Sequence, residues 1–218
     1  MAEDDTARAT ARILIETESV LFRPDDPFTF TSGKKSPVYV DCRRLISFPE
    51  ARRELMVMMA DLVRNAIGLD QVDVIAGGET AGIPFAAWVA ARLDLPMVYI
   101  RKEAKGFGRN ARIEGVLEDG QRVLLVEDLA TDGGSKLSFV EGMREAGALC
   151  AHTVVIFHYG IFPDGIKALA AAGVTLHGLA NWWDVVACAE EEDYFDKTAL
   201  AKVRQFLDAP DDWQAEHA

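Results

Sequence analysis

Cysteine is scarce. Cys42, Cys150 and Cys188 are the three in 218 residues, odd in number, far apart and in no CxxC spacing. They read as reduced, structural thiols of a cytoplasmic protein, not as a disulfide framework. Long apolar runs are missing too. None reaches the roughly eighteen residues that suggest a membrane-spanning helix. The N-terminus, MAEDDTARAT, is acidic and polar, unlike a signal peptide. Positive charge is in deficit: 23 Lys and Arg against 35 Asp and Glu leave a net charge of −12. That balance argues against a nucleic-acid partner held through its phosphates. It also means that any anion site has to be built locally against an unfavourable overall field. The four histidines, His152, His158, His177 and His217, have no metal-ligand spacing. There is no internal repeat and no low-complexity segment.

What is present suits one large α/β domain with a full core. Half of the residues are hydrophobic and 27% are charged, as in an ordinary globular chain. The pattern predicts a helix from about Thr6 to Phe22, with Ile13, Leu14, Val20 and Leu21 as apolar contacts. RPDDP (Arg23 to Pro27) is turn chemistry. Phe28 to Asp41 reads as two short strands around a turn at Ser32 to Pro37, which carries Lys34 and Lys35. A helix from about Pro49 to Ile67 follows, with proline at its start. Then strands alternate with helices. Val72–Ala76, Pro96–Ile100, Ile113–Val116, Val123–Val126, Thr153–Phe157 and Val174–Leu179 are the predicted strands. Helices are expected near 84–93, up to Ala146, over 162–172, over 181–189 and over 194–207. Such alternation implies a mostly parallel sheet with right-handed crossovers.

The most informative stretch is Arg122 to Lys136, RVLLVEDLATDGGSK. Val123 to Val126 is an apolar run, as expected of a strand buried on both faces. Glu127 and Asp128 then stand side by side at its end. Thr131 to Ser135 is a small, hydroxyl- and glycine-rich loop opening into a helical pattern. Backbone N–H groups of such a loop can close around an anion, and the following helix adds its dipole. Two carboxylates would repel that anion if they touched it, but they suit a ribose diol. These residues point to a ribose 5-phosphate site at the C-terminal end of a strand.

Two other loops bear on the same chemistry. Gly77, Gly78, Glu79, Thr80, Ala81 and Gly82 join a strand to a helix without the GK[ST] of a P-loop. They are either a tight turn or a backbone contact to a ligand diphosphate. RKEAKGFGRNAR sets Arg101, Lys102, Lys105, Arg109 and Arg112 against one acid, Glu103. Its formal GxGxxG/A match does not directly join a strand to a helix, so it is no dinucleotide fingerprint. It reads as a mobile cationic flap over a polyphosphate.

The Arg122–Lys136 stretch resembles the 5-phosphoribosyl 1-diphosphate (PRPP) signature of the type I phosphoribosyltransferases. FRPDDPFTFTSGKKSPVYVDCR, AGGETAGIPFAAWVA, YIRKEAKGFG, VEDLATDGGS and IFHYGIFP, in this order, are similar to the bacterial orotate phosphoribosyltransferases. The resemblance implies that family's fold: a mostly parallel, twisted sheet flanked by helices, with a small N-terminal hood and a mobile flap. It implies a single domain over 1–218, with N-terminal helix and hood in 1–45, flap in 101–112 and C-terminal helices in 181–218. It implies transfer of phosphoribose from PRPP to orotate, with Mg²⁺ bound through PRPP and none held directly by protein. It further implies a homodimer whose flap reaches the neighbouring site. By position, Glu127 and Asp128 would hold the ribose hydroxyls. Leu129, Ala130, Thr131, Asp132, Gly133, Gly134 and Ser135 would surround the 5′-phosphate. Arg101, Lys102 and Lys105 would engage the diphosphate, with Lys105 and Arg101 closest to the chemistry. Thr131 would also touch orotate.

Three positions depart from the family. Phe107 stands where many members have a flap histidine. His158 to Phe162 lacks an arginine that some relatives use for the orotate carboxylate. Thr31 replaces a lysine. Lys34, Lys35 or backbone N–H groups near Ser32 to Ser36 are left to meet the carboxylate. The other readings are a phosphoribosyltransferase for another base and a PRPP-binding regulator without catalysis.

Overall fold

The structure is a computed structural model describing residues 3–30, 33–104, 112–131 and 133–217. The chain divides into two compact units, Arg52–Leu179 and the combination of Met1–Ala51 with Ala180–Ala218.

The N-terminal segment opens with helix α1 (Glu3–Glu16), then strands β1 (Val20–Phe22), β2 (Phe28–Thr29), β3 (Lys35–Ser36) and β4 (Val38–Val40). The helix expected to reach Phe22 stops six residues earlier. Thr17 turns its hydroxyl back onto the Ile13 carbonyl at 2.7 Å, and Glu18 takes a left-handed φ of 53°. A hydroxyl bonded to its own preceding turn competes with the helix ladder. The chain then enters β1, which pairs antiparallel with β4 in the register Val20↔Val40. Val20 is buried as expected, whereas Leu21 is 37% exposed. The expected pair of strands after Phe28 becomes three, because Pro37 has no N–H to donate and separates β3 from β4.

Helix α2 (Pro49–Leu62) starts at its proline, and its end loosens into a π-helical turn over Val63–Ile67. There follow β5 (Val74–Gly78), α3 (Gly82–Leu93), β6 (Met97–Ile100), β7 (Ile113–Glu114), β8 (Arg122–Ala130), α4 (Gly134–Glu145), β9 (Leu149–His158), α5 (Pro163–Ala171) and β10 (Thr175–Asn181). The six strands β5 to β10 form one sheet in the order β10-β9-β8-β5-β6-β7. The pairs β5–β6, β5–β8 and β8–β9 are parallel, and β7 is antiparallel to β6. This is the mostly parallel α/β sheet the sequence predicts. One side of its core joins Val74, Ala76, Val98, Ile100, Val123 and Leu125 to Phe139, Val140 and Met143 of α4.

The topology fixes where a ligand can sit. From β5 the chain moves outward to β6 and β7, then returns to the other side of β5 as β8 and moves outward again. The strand order therefore reverses between β5 and β8, and open α/β sheets bind ligands at the carboxyl ends of strands at such a point.

The C-terminal segment holds α6 (Trp182–Glu191), α7 (Lys197–Asp208) and α8 (Pro210–Glu216). Asn181 starts α6 with a capping box shared with Asp184. Helix α8 is too short, at seven residues, for its periodicity to show in the sequence. Among the described residues no helix is long and apolar enough to cross a membrane.

Candidate active site

The loops after β5 and β8 meet at the switch point. Val126 of β8 lies opposite Gly77 of β5, and Gly78 lies opposite Ile100 of β6. Strand β8 is longer than its apolar run suggests. It continues to Ala130, so Glu127 and Asp128 stand inside the strand instead of beyond its end. The extension is held by β9, with Glu127 opposite Val155 and Ala130 opposite His158. Successive side chains of a strand point to opposite faces, so the two acids diverge. Both are buried, Glu127 at 6% and Asp128 at 9% exposure.

Glu127 is packed tightly. A Cβ on Gly78, or on Gly82 at the start of α3, would fall on its Oε1 atom. Its Oε2 lies 3.0 Å from Nζ of Lys136, with both side chains almost wholly buried. Burial pushes the Glu127 carboxyl up from its ordinary value, Lys136 and Lys102 pull it down, and Asp128 adds to the rise. Burial prevails.

Helix α4 begins after Gly133, whose φ of 77° suits a residue without a side chain. Its N-cap residue, Gly133, has no side chain of its own to cap this end, and a helix start offers an anion the positive end of the helix dipole. Thr131, Gly134 and Ser135 are exposed around it, and Gly133 and Ala130 are buried. Leu129 is half-buried. Asp132 lies outside the described residues. Beside the loop, the Tyr159 N–H donates to the Ala130 carbonyl at 2.9 Å, and the Tyr159 ring stacks on Phe162 at 5.9 Å.

The cationic segment follows β6. Arg101 is half-buried, and its Nε finds no hydrogen-bond partner among the described residues. Its Nη1 lies 3.6 Å from Oε1 of Glu114. Lys102 is exposed, and its N–H donates to Oε2 of Glu79 at 2.9 Å, tying this segment to the loop after β5. Arg112 donates from Nε to the Arg101 carbonyl at 2.9 Å and from Nη1 to the Ser138 carbonyl at 3.0 Å. It fits because Gly142 of α4 is bare: a Cβ there would lie 2.7 Å from Nη1. The last cation of the basic run is thus engaged with the protein. Lys105 and Phe107 lie outside the described residues.

Lys34 belongs to the other unit, where it is exposed beside β3 and its carbonyl accepts from Phe30 N–H at 2.9 Å. Lys35 is held through its main chain: its N–H donates to Oε1 of Gln214 at 3.2 Å, and its carbonyl accepts from Gln214 Nε2. Sequence reasoning passed over Lys136, Arg112 as an anchor, and Gln214. For Lys136 the one signal was a lysine closing a run of small residues whose only charge is Asp132.

The family model for the phosphoribosyl transferase domain matches residues 47–161, which include the β5, β6 and β8 loops. An orotate phosphoribosyltransferase of Cereibacter sphaeroides is 62% identical over 97% of this chain and 91% of its own length. Among solved structures, an orotate phosphoribosyltransferase from Aeropyrum pernix superposes with a TM-score of 0.71 at 29% identity, covering 85% of this chain and 99% of its own. The UMP synthase of Leishmania donovani gives a TM-score of 0.79 at 28% identity over 95% of this chain, which spans only 42% of that protein. With an acid-bearing strand, a glycine-rich loop, and Arg101 and Lys102 following the neighbouring strand, and with likeness of this extent, the chain belongs to the phosphoribosyl transferase domain family and, within it, to the orotate phosphoribosyltransferases.

Proposed function

We infer that this enzyme transfers the phosphoribosyl group of PRPP to orotate, yielding orotidine 5′-monophosphate and diphosphate, a step in making UMP. The observation that carries the reading is the run of β8 through Glu127 and Asp128 to the glycine-led start of α4 at Gly133 and Gly134. In this reading Asp128 and Glu127 accept from the ribose hydroxyls. Leu129 to Ser135, including Asp132, encloses the 5′-phosphate, and Thr131 also faces orotate. Arg101, Lys102 and Lys105 attend the diphosphate. Lys34 is the assigned partner of the orotate carboxylate.

Leaving of diphosphate builds negative charge on its oxygens and positive charge on the ribose. The protein's task is therefore positioning and neutralisation more than covalent chemistry. The Nε of Arg101, which has no hydrogen-bond partner among the described residues, is a donor suited to that charge. The ring nitrogen of orotate is already acidic, so no strong general base is needed. Closure of the 101–112 segment would keep water from PRPP. Mg²⁺, carried on PRPP's own oxygens, offsets diphosphate charge when bound. The donor set here fits a cation brought by the substrate, because Glu127 is already paired with Lys136. Among the described residues no three His, Cys, Asp or Glu side chains gather into a ligand set. The chain is read as one functional domain, a homodimer sharing sites through its flaps, in the cytoplasm. The three cysteines are buried and outside any disulfide, in keeping with a reducing compartment.

The test is turnover of PRPP with orotate, uracil, hypoxanthine and adenine in parallel, followed by ring absorbance and diphosphate release. Orotate alone should be consumed. Preference for another base would overturn the assignment of acceptor, and PRPP binding without turnover would overturn catalysis.

A further inference from the structure

Lys136 is a lysine at 4% exposure, in the first turn of α4. An ammonium has three N–H donors, and each finds an acceptor. One is Oε2 of Glu127 at 3.0 Å, one is Oγ of Ser135 at 3.3 Å, and one is the Leu129 carbonyl. Leu129 near the end of β8 and Ser135 in the first turn of α4 lie on either side of the loop assigned to the 5′-phosphate, and Glu127 is one of the acids assigned to the ribose. A single buried cation therefore ties the acid to both sides of the loop.

A buried ion pair is a poor device for stability alone, since apolar groups of similar volume often serve as well. Its cost calls for another use, and its position supplies one. The chain carries a net charge of −12, yet this site has to receive a phosphate next to two acids. We propose that Lys136 is a positioning residue of the PRPP subsite, keeping Glu127 charged to accept ribose hydroxyls and fixing the Leu129 carbonyl and the Ser135 hydroxyl beside the 5′-phosphate position. The inference rests on the PRPP reading of this site.

The surroundings of Glu127 make the charge effect readable. Lys136 faces it from α4, Lys102 from the segment after β6, and Asp128 is its neighbour on β8. From β5 and α3 it meets the glycine positions Gly78 and Gly82. Burial and Asp128 favour the protonated carboxyl, and Lys136 is first among the cations opposing them. Without Lys136, Glu127 takes up its proton at higher pH.

The experiment is kcat/KM for PRPP across pH in Lys136→Met, which keeps the length of the side chain and removes its charge. Near neutral pH the loss should be about ten- to a hundredfold, the scale of hydrogen bonds to charged groups. It should fall mainly on KM, and the acid limb of the profile should move to higher pH. An equal loss at every pH, or no loss, overturns the proposal. Should Lys136→Met not fold, Glu127→Gln with Lys136→Met removes both charges and restores a neutral pair. That variant should fold, use PRPP poorly and lack the Glu127 limb. Wild-type PRPP use in it would overturn the proposal. Glu127→Gln alone separates the two levels of the argument. If it uses PRPP normally, the ribose role of Glu127 fails and the proposal fails with it. If it is impaired while Lys136→Met shows no shifted limb, only the role of Lys136 fails.

Discussion

Single atoms decide how the acid of β8 is held. Glu127 is confined because Gly78 and Gly82 present no Cβ where its Oε1 lies. The role of these glycines is close approach, and neither has a positive φ. Adding one methyl group at Gly82 should push Glu127 off Lys136. Overpacking a filled site costs about 1–3 kcal/mol, or roughly 2–12 °C of Tm in a domain of this size. Gly82→Ala should therefore show a lower Tm and a raised KM for PRPP. A variant with wild-type values of both would mean that the carboxylate has room to move and that its pairing is not enforced by packing. The sequence displayed these glycines as a loop that could be a turn or a ligand contact. It did not display the pair with Lys136, because that contact closes only when α4 folds back beside β8.

The elements show what pattern can and cannot carry. Strands β5, β8 and β9 were legible because each is an apolar run, ended by glycine in β5 and by an acid in β8, and α3 and α4 followed from the glycine-rich connections. Strand β1 was not, since three residues after a helical pattern leave no alternation to see. The extension of β8 to Ala130 was hidden by its acids, which strand pairing with β9 overrides. The opposite end of β8 is equally fixed. Arg122 donates to Asp73 from its backbone N–H and Nε at 2.8 Å and from Nη2 at 2.5 Å, while Asp73 N–H returns a bond to the Arg122 carbonyl. These bonds hold the Asp73 carboxyl at about 2, below its ordinary 3.8. A carboxyl depressed on folding contributes stability that is present above the unfolded value and lost as pH falls through the folded one. Asp73→Asn should lower Tm at pH 7 and flatten the part of the acid loss between pH 3.8 and about 2. Because this pair sits at the strand starts, away from the loops, KM for PRPP should not move. Thermal melts across pH, with kinetics at pH 7, check both halves; a changed KM would show that the strand starts influence the site.

At the scale of the molecule the central problem is charge. Both substrates are anions and the chain is acidic, so in the proposed reading binding depends on a few cations at the carboxyl ends of the strands. Arg101 and Lys102 lie there on the described chain, with Lys102 tied through its N–H to Glu79. Lys105 is placed only by its position in the sequence. If the 101–112 segment serves the neighbouring subunit, acids and flap cations of one working site come from two chains. A two-fold dimer then contains two such composite sites. Lys105→Ala and Asp128→Ala should each be close to inactive as homodimers. After mixing and subunit exchange, half of the dimers are hybrids, and each hybrid has one site with both wild-type residues. About a quarter of wild-type activity should return. A segment acting within its own chain gives a different outcome: every site in the hybrid then lacks one of the two residues, and mixing restores nothing. Light scattering that finds a monomer, or no recovery despite exchange demonstrated with tagged subunits, would mean that each chain neutralises its own diphosphate.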